Sequence, residues 1–274
     1  LIILVKYLFN SLNDLKTFKE DQSVVITDID GTISEITSEP SHAKITADMR
    51  NILFVLSSQF KFVGVLTGRD INDALNIIKL KKIVYMGNHG LQRLKNGKII
   101  TDSRVNVYVP IIKEIYEELT TKLKDSSGFN LEYKTLSLTV HYNECYPKCC
   151  AKKEVLDTIS TMALGKLVKI VEGRDLLEIR PPVGDDKGSV LQKFITENNI
   201  KKIIYIGDDI NDVCAFKKLK ELSQEHKILG VSVAVNSKEV PKHVKESANF
   251  YVENVQETFE FLKWLSDKDV NKCH

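Results

Sequence analysis

The feature that most limits what this chain can fold into is Val24-Val25-Ile26-Thr27 running straight into Asp28-Ile29-Asp30-Gly31-Thr32-Ile33. A short β-branched apolar run reads as a buried strand. This one ends in two carboxylates spaced to share one site. Open α/β sheets bind ligands beyond the carboxyl ends of their strands, so Asp28 and Asp30 stand where chemistry is done. Gly31 lets the backbone turn there, and Thr32 adds a hydroxyl. Neighbouring carboxylates repel each other unless a cation lies between them, and a hard ion such as Mg²⁺ is the natural one. One carboxylate is then free to attack an electrophile while the other handles a proton. Asp-x-Asp-Gly also occurs as a plain turn or as part of a calcium loop. An EF-hand loop needs further ligands ending in Glu, and Ser34-Glu35-Ile36-Thr37 does not supply them.

Strands and helices alternate around this segment. Leu4, Leu8, Leu12 and Leu15 have helical spacing and predict an amphipathic helix over residues 1–20. A polar loop runs from Ser34 to Lys44, and Thr46 then caps a helix presenting Met49, Leu53 and Leu56. Phe62 to Leu66 reads as a strand ending in Thr67-Gly68-Arg69. The next helix carries Ile71, Leu75 and Ile78, and the strand Ile83 to Met86 ends in Gly87-Asn88-His89-Gly90. Such alternation implies parallel strands with right-handed crossovers. Asn96-Gly97 marks a hairpin between residues 91–94 and 98–100.

The pattern then changes. A helix opened by Pro110 runs to about Lys124. Strands follow at residues 129–134 and 136–142, then a helix near 152–162 and strands at 167–171 and 176–180. This β-β-α-β-β order predicts an inserted domain at 106–181, with core segments at 1–105 and 182–274, and Pro181 to Gly184 as the return hinge. The first pattern resumes with a helix over 187–198 and a buried strand, Lys202 to Ile206, ending in Gly207-Asp208-Asp209-Ile210-Asn211-Asp212. Two short strands, 229–235 and 249–252, precede a closing helix, 255–265, expected to bury Trp264.

Four strand ends thus bring together Asp28 and Asp30, Thr67, Lys187, and Asp208 with Asp209 and Asp212. Carboxylate nucleophile, hard cation, Lys and hydroxyl describe phosphoryl transfer, which depends on positioning and charge neutralisation. In these motifs the chain resembles the haloacid-dehalogenase superfamily of phosphohydrolases. That resemblance implies a Rossmann-like α/β core with a parallel sheet and an inserted α+β cap of the C2 type. It makes Asp28 the nucleophile, Asp30 the general acid/base, and Thr67 and Lys187 the phosphate-binding pair. Asp28, the Asp30 backbone carbonyl and Asp208 would hold Mg²⁺, with Asp209 and Asp212 in or near its outer sphere.

Within that superfamily the chain is most similar to the trehalose-6-phosphate phosphatase family. Asn88-His89-Gly90 matches a segment of that family, as do Glu132-Tyr133-Lys134, Ser137 and His141-Tyr142. Glu178-Ile179-Arg180-Pro181 followed by Asp186-Lys187-Gly188 resembles the family's return into the core. The resemblance implies hydrolysis of trehalose 6-phosphate. It gives substrate-binding roles to Gly68, Arg69, Asn88, His89, Glu132, Lys134, Ser137, His141, Glu178 and Arg180, and makes a trehalose-phosphate synthase a candidate partner. Two departures bear on the substrate. The family usually has Arg after His-Tyr, where this chain has Asn143, and Thr-Asp-Glu in the last motif, where this chain has Asn211-Asp212-Val213. Another phosphosugar (of sucrose, glucosylglycerol or mannosylglycerate type) is the alternative substrate. A non-catalytic sugar-phosphate sensor is the alternative class, disfavoured because Asp28 and Asp30 are both present.

Composition sets the remaining bounds. At 274 residues, 43% hydrophobic and with a formal net charge of +2, the chain can bury a sizeable core and carries no charge excess pointing to nucleic acid or a membrane surface. Its apolar start is broken by Lys6 and lacks a signal-peptide pattern, so a cytoplasmic protein is expected. Five cysteines fit a reducing compartment. Cys145, Cys149 and Cys150 near His141 could suggest zinc, but no second pair of ligands follows at the usual spacing, so buried structural thiols are expected.

Overall fold

The computed structural model describes residues 5–37, 40–173, 175–183, 186–236 and 241–267. The elements in chain order are β1 (Lys6–Tyr7), β2 (Ser23–Thr27), α1 (Ala47–Gln59), β3 (Phe62–Leu66), α2 (Ile71–Ile78), β4 (Val84–Gly87), β5 (Gln92–Lys95) and β6 (Lys98–Thr101). Next come α3 (Val109–Lys122), β7 (Asn130–Tyr133), β8 (Leu138–His141), α4 (Lys148–Thr161), β9 (Lys169–Gly173) and β10 (Leu176–Arg180). The chain closes with α5 (Lys187–Glu197), β11 (Lys202–Gly207), α6 (Ile210–Gln224), β12 (Leu229–Val235), α7 (Lys242–Ser247), β13 (Phe250–Val252) and α8 (Val255–Ser266). It divides into two compact units, Leu1–Ile100 with Asp185–His274, and Thr101–Gly184.

The first unit is built on a nine-stranded sheet in the order β1-β13-β12-β11-β2-β3-β4-β5-β6. The strands from β1 to β4 in that order pair in parallel, and β5 returns antiparallel to β4. The chain leaves β2 toward β3 and β4, then comes back on its other side as β11, β12 and β13. β2 is therefore the switch point of the sheet, where a crevice opens at the strand ends. Successive residues face opposite ways. Val24 and Ile26 pack with Ile203 and Tyr205 under α5, α6 and α7, whereas Val25 packs with Ile204 and Ile206 under α1, α2 and α8. Helices on both faces explain why these strands are apolar throughout rather than alternating.

Local signals account for most helix starts. Thr46 accepts a hydrogen bond from the Met49 amide at 3.0 Å, and Asp186 accepts one from the Ser189 amide at 2.8 Å. The N-terminal segment departs from expectation. It forms β1 and two 3-10 helices, Leu8–Asn10 and Leu12–Lys19, instead of one amphipathic α-helix. Ser11 breaks the run, its amide bonding back to the Leu8 carbonyl, while Leu8 and Leu15 still reach the core. Leu4 lies outside the described residues, as does Gly184 of the expected hinge. Trp264 is only partly buried: it stacks on Phe261, and Lys19 Nζ sits 4.3 Å from its ring centroid. α6 follows the last acidic motif and buries Val213, Phe216, Leu219 and Leu222, a face that its lysine-rich run obscures in the sequence.

The second unit is a four-stranded antiparallel sheet, β7-β8-β10-β9, with α3 and α4. Leu138, Val140, Leu177 and Ile179 pack with Ile112, Ile115, Leu119, Val155 and Ile159. The other face of these strands carries Glu132, Thr139 and Glu178 in register across three strands. Of the cysteines expected to be buried thiols, only Cys145 is buried; Cys149 and Cys150 are exposed in the first turn of α4.

Candidate active site

The site lies in the first unit at the carboxyl end of β2. Asp28 continues the ladder, its amide donating to the Ile206 carbonyl at 2.8 Å, and its side chain is buried. Oδ1 accepts from the Ile29 amide at 2.7 Å, and Oδ2 accepts from Lys187 Nζ at 2.7 Å. Gly31 turns with φ +71°, and its amide closes on the Ser34 carbonyl at 2.8 Å. Any other residue here would displace Asp208, since a Cβ would lie 2.0 Å from its Oδ2. Thr32 Oγ1 donates to Asp208 Oδ1 at 3.0 Å, so the first and last acidic motifs are tied directly.

Lys187 opens α5 and is almost wholly buried. Its ammonium donates to Asp28 Oδ2 and, at 2.6 Å, to Asp212 Oδ1. Burial opposes its charge, but the facing Asp212 and Asp28 carboxylates outweigh that and hold its pKa well above the usual lysine value. Asp212 also closes a capping box at the start of α6, its Oδ2 accepting the Asp208 and Asp209 amides at 3.1 and 3.0 Å. Asp209 stands apart. Its oxygens accept from the Ile210 amide and the Asn211 side chain, so it caps the helix rather than joining the buried carboxylates.

Thr67, Gly68 and Arg69 follow β3. The 3-10 turn Asn88–Gly90 clamps them, with the Asn88 amide donating to the Arg69 carbonyl at 2.8 Å and the His89 amide to the Thr67 carbonyl at 2.9 Å. The His89 ring lies over Gly68, where a Cβ would meet it at 2.8 Å. Asn88 donates its side-chain amide to Gln92 Oε1 at 2.9 Å. Asn-His-Gly thus supports the loop that follows β3. Arg69 pairs with Asp30: Nε donates to Oδ2 at 2.6 Å and Nη2 to Oδ1 at 2.8 Å.

Asp28, Asp208 and Asp212 bring carboxylate oxygens within 4.8 Å of one another, and the Asp30 and Asp209 side chains lie outside that cluster. Burial above all, with repulsion from Asp212 and Asp30, pushes Asp28 up to about 7 against the pull of Lys187. Burial and the carboxylates of Asp212 and Asp28 also raise Asp208 well above the carboxylate range. Buried oxygens that cannot all stay ionised by themselves fit a hard divalent cation, which Asp28 and Asp208 would hold. Asp212 is the poorest candidate of the three, because its lone pairs are already taken by protein donors.

In the second unit, Glu132 Oε2 lies 3.4 Å from His141 Nε2 and 3.3 Å from Lys134 Nζ. Those partners outweigh burial and hold the Glu132 carboxyl below its usual range. Arg180 Nη1 lies 3.8 Å from Glu178 Oε2. The buried Ser137 and Thr139 hydroxyls have no hydrogen-bond partner among the described residues. This is a polar sheet face rich in donors and acceptors. Sequence reasoning missed Gln92 and Tyr205, which hold Asn88 and Asp212 in place. A tyrosine among the aliphatic residues of β11 was the only signal of the latter.

A parallel sheet with an Asp pair at its switch point, backed by a buried Lys and a further acidic turn, defines the haloacid-dehalogenase class of phosphohydrolase. A haloacid dehalogenase-like hydrolase from Bacteroides thetaiotaomicron superposes with a TM-score of 0.62 at 16% identity, covering 89% of this chain and 99% of that one. The trehalose-6-phosphate phosphatase C-terminal domain of C. albicans superposes with a TM-score of 0.78 at 20% identity, over 96% of this chain and 98% of that one. The trehalose-phosphatase family model matches residues 26–256. The probable trehalose-phosphate phosphatase 3 of Oryza sativa subsp. japonica is 30% identical over 285 residues, which span 92% of this chain and 72% of that protein. The chain belongs to the trehalose-phosphatase family and is a phosphatase acting on a phosphate monoester.

Proposed function

We propose that this protein hydrolyses trehalose 6-phosphate to trehalose and inorganic phosphate, with Asp28 as nucleophile and Asp30 as acid and base. The observation that carries the reading is the 2.7 Å bond from buried Lys187 to Asp28 Oδ2. It aims one carboxylate oxygen and offers a cation to an incoming phosphoryl group. In the first step Asp28 attacks phosphorus, the bond from phosphorus to the sugar oxygen breaks, and Asp30 delivers a proton to that oxygen. Asp30 then takes a proton from water, the water oxygen attacks the aspartyl-phosphate, and the Asp28–phosphorus bond breaks to release phosphate.

Thr67 accepts from the Arg69 amide at 3.2 Å, which leaves its hydroxyl hydrogen for a phosphoryl oxygen. Asp28, Asp208 and the Asp30 carbonyl would hold Mg²⁺, which when bound would supply positive charge to the phosphoryl group. The polar face bearing Glu132, Lys134, Ser137, His141, Glu178 and Arg180 has the chemistry to recognise sugar hydroxyls. A cytosolic location is part of this reading, supported by the four described cysteines, all of which stand as free thiols. No helix among the described residues is long and apolar enough to cross a membrane.

The test is phosphate release with Mg²⁺ across trehalose 6-phosphate, sucrose 6-phosphate and glucose 6-phosphate, with Asp28→Asn as control. A strong preference for the first, lost in the variant while the circular dichroism spectrum is kept, supports the proposal. Preference for another phosphosugar would replace the substrate, and full activity in Asp28→Asn would remove the mechanism.

A further inference from the structure

Tyr205 is the one aromatic residue of β11, Lys202-Ile203-Ile204-Tyr205-Ile206-Gly207. It is completely buried, and its ring packs edge-on against Phe216 with centroids 5.9 Å apart. Phenylalanine would fill that space equally well. The hydroxyl is what distinguishes Tyr205, and it donates to Asp212 Oδ1 at 2.5 Å.

Asp212 is thereby filled. Oδ1 accepts from Tyr205 and Lys187, and Oδ2 from the amides of Asp208 and Asp209. A carboxylate offers about four lone-pair sites, and all are in use. Lys187 divides its ammonium between this oxygen and Asp28 Oδ2. The chain Tyr205–Asp212–Lys187–Asp28 therefore runs unbroken from the sheet interior to the carboxylate that attacks phosphorus.

We propose that Tyr205 is a positioning residue, its hydroxyl setting how far Asp212 draws Lys187 away from Asp28. This rests on the reading of Asp28 as nucleophile. The phenol shares the charge of Oδ1 in a site with no bulk water, where each hydrogen bond polarises the next. Without it, Lys187 is the only side-chain donor left on Oδ1. The ammonium then moves toward Asp212 and its bond to Asp28 weakens. The phosphosugar still binds, but the attacking oxygen is less well aimed, and misplacement by about 1 Å can cost a factor of about 100 in rate.

The test is Tyr205→Phe, which keeps the ring. The expected result with trehalose 6-phosphate is a kcat about tenfold lower with KM within about twofold of wild type. A residue that only fills the core would behave as Phe216→Leu should, with a lower thermal midpoint and unchanged kcat well below it. If Tyr205 acts through Asp212, Tyr205→Phe adds less than about twofold to the loss caused by Asp212→Asn. A kcat within about twofold of wild type, or losses that multiply in the double variant, would overturn the proposal. Should Tyr205→Phe not fold, proton NMR of the wild type keeps the question open to test. A protected downfield hydroxyl proton that moves upfield in Asp212→Asn, where the acceptor is neutral, supports the chain, and a rapidly exchanging one overturns it. Failure of the underlying reading shows differently, as retained turnover in Asp28→Asn.

Discussion

Arg69 grips Asp30 with both prongs of its guanidinium, at 2.6 and 2.8 Å, across 39 positions of sequence. The pair is a fork on a carboxylate, the geometry in which Arg is most directional. The fork fixes the plane and direction of the proposed acid/base carboxylate. Arg69→Gln should therefore lower kcat by about tenfold to a hundredfold, less than Asp30→Asn, since a well-placed acid/base contributes about 10² to 10⁴. Steady-state phosphate release measures this. If Arg69 works through Asp30, it should add little in an Asp30→Asn background.

Removal of Lys187 should cost stability as well as activity. Lys187→Met leaves Asp28 and Asp212 buried and facing each other without their shared cation. Breaking a buried ion pair from one side costs about 3 to 5 kcal/mol. Urea unfolding should show a midpoint lowered to match, with the slope unchanged, and turnover should vanish. A variant as stable as wild type would contradict the account of these carboxylates.

Gly31 gives a direct handle on the proposed cation site. Ala at this position would put a Cβ 2.0 Å from Asp208 Oδ2 and hold a positive φ that costs an L-residue about 1 to 2 kcal/mol. Asp208 must move. Mg²⁺ should raise the thermal midpoint of wild type by mass action, and this rise should disappear in both Gly31→Ala and Asp208→Asn. Differential scanning fluorimetry with and without Mg²⁺, EDTA serving as the blank, reads the effect.

Tyr85 predicts an alkaline limit to stability. It is wholly buried, its hydroxyl donates to the Leu80 carbonyl at 2.6 Å, and burial pushes its pKa from 10.0 to about 12. Below pH 10 both folded and unfolded chains keep the proton, so this residue adds no pH dependence. Between pH 10 and 12 the unfolded chain loses it first, and stability falls as pH rises, by about 3 kcal/mol at most. Tyr85→Phe should flatten that part of the profile in chemical unfolding at pH 9, 10, 11 and 12.

Much of this protein is written locally. The strand at residues 23–27, the cap at Thr46, the strands at 62–66, 176–180 and 229–235, and the position of each acidic motif follow from β-branched runs, capping residues and Gly turns within a few positions. Those are nearest-neighbour effects, which a sequence states directly. The tertiary structure decided the pairing of side chains. Local spacing says nothing of Arg69 meeting Asp30, of Thr32 meeting Asp208 across 176 positions, or of Tyr205 and Lys187 sharing one oxygen of Asp212. Strand order and register bring those atoms within hydrogen-bond distance, and burial then makes each unsatisfied charge too costly to leave unpaired. The same holds for Asp209, equal to Asp208 as a letter in the sequence. One β-strand terminus and one helix cap sent the first outward to α6 and the second inward to Asp28.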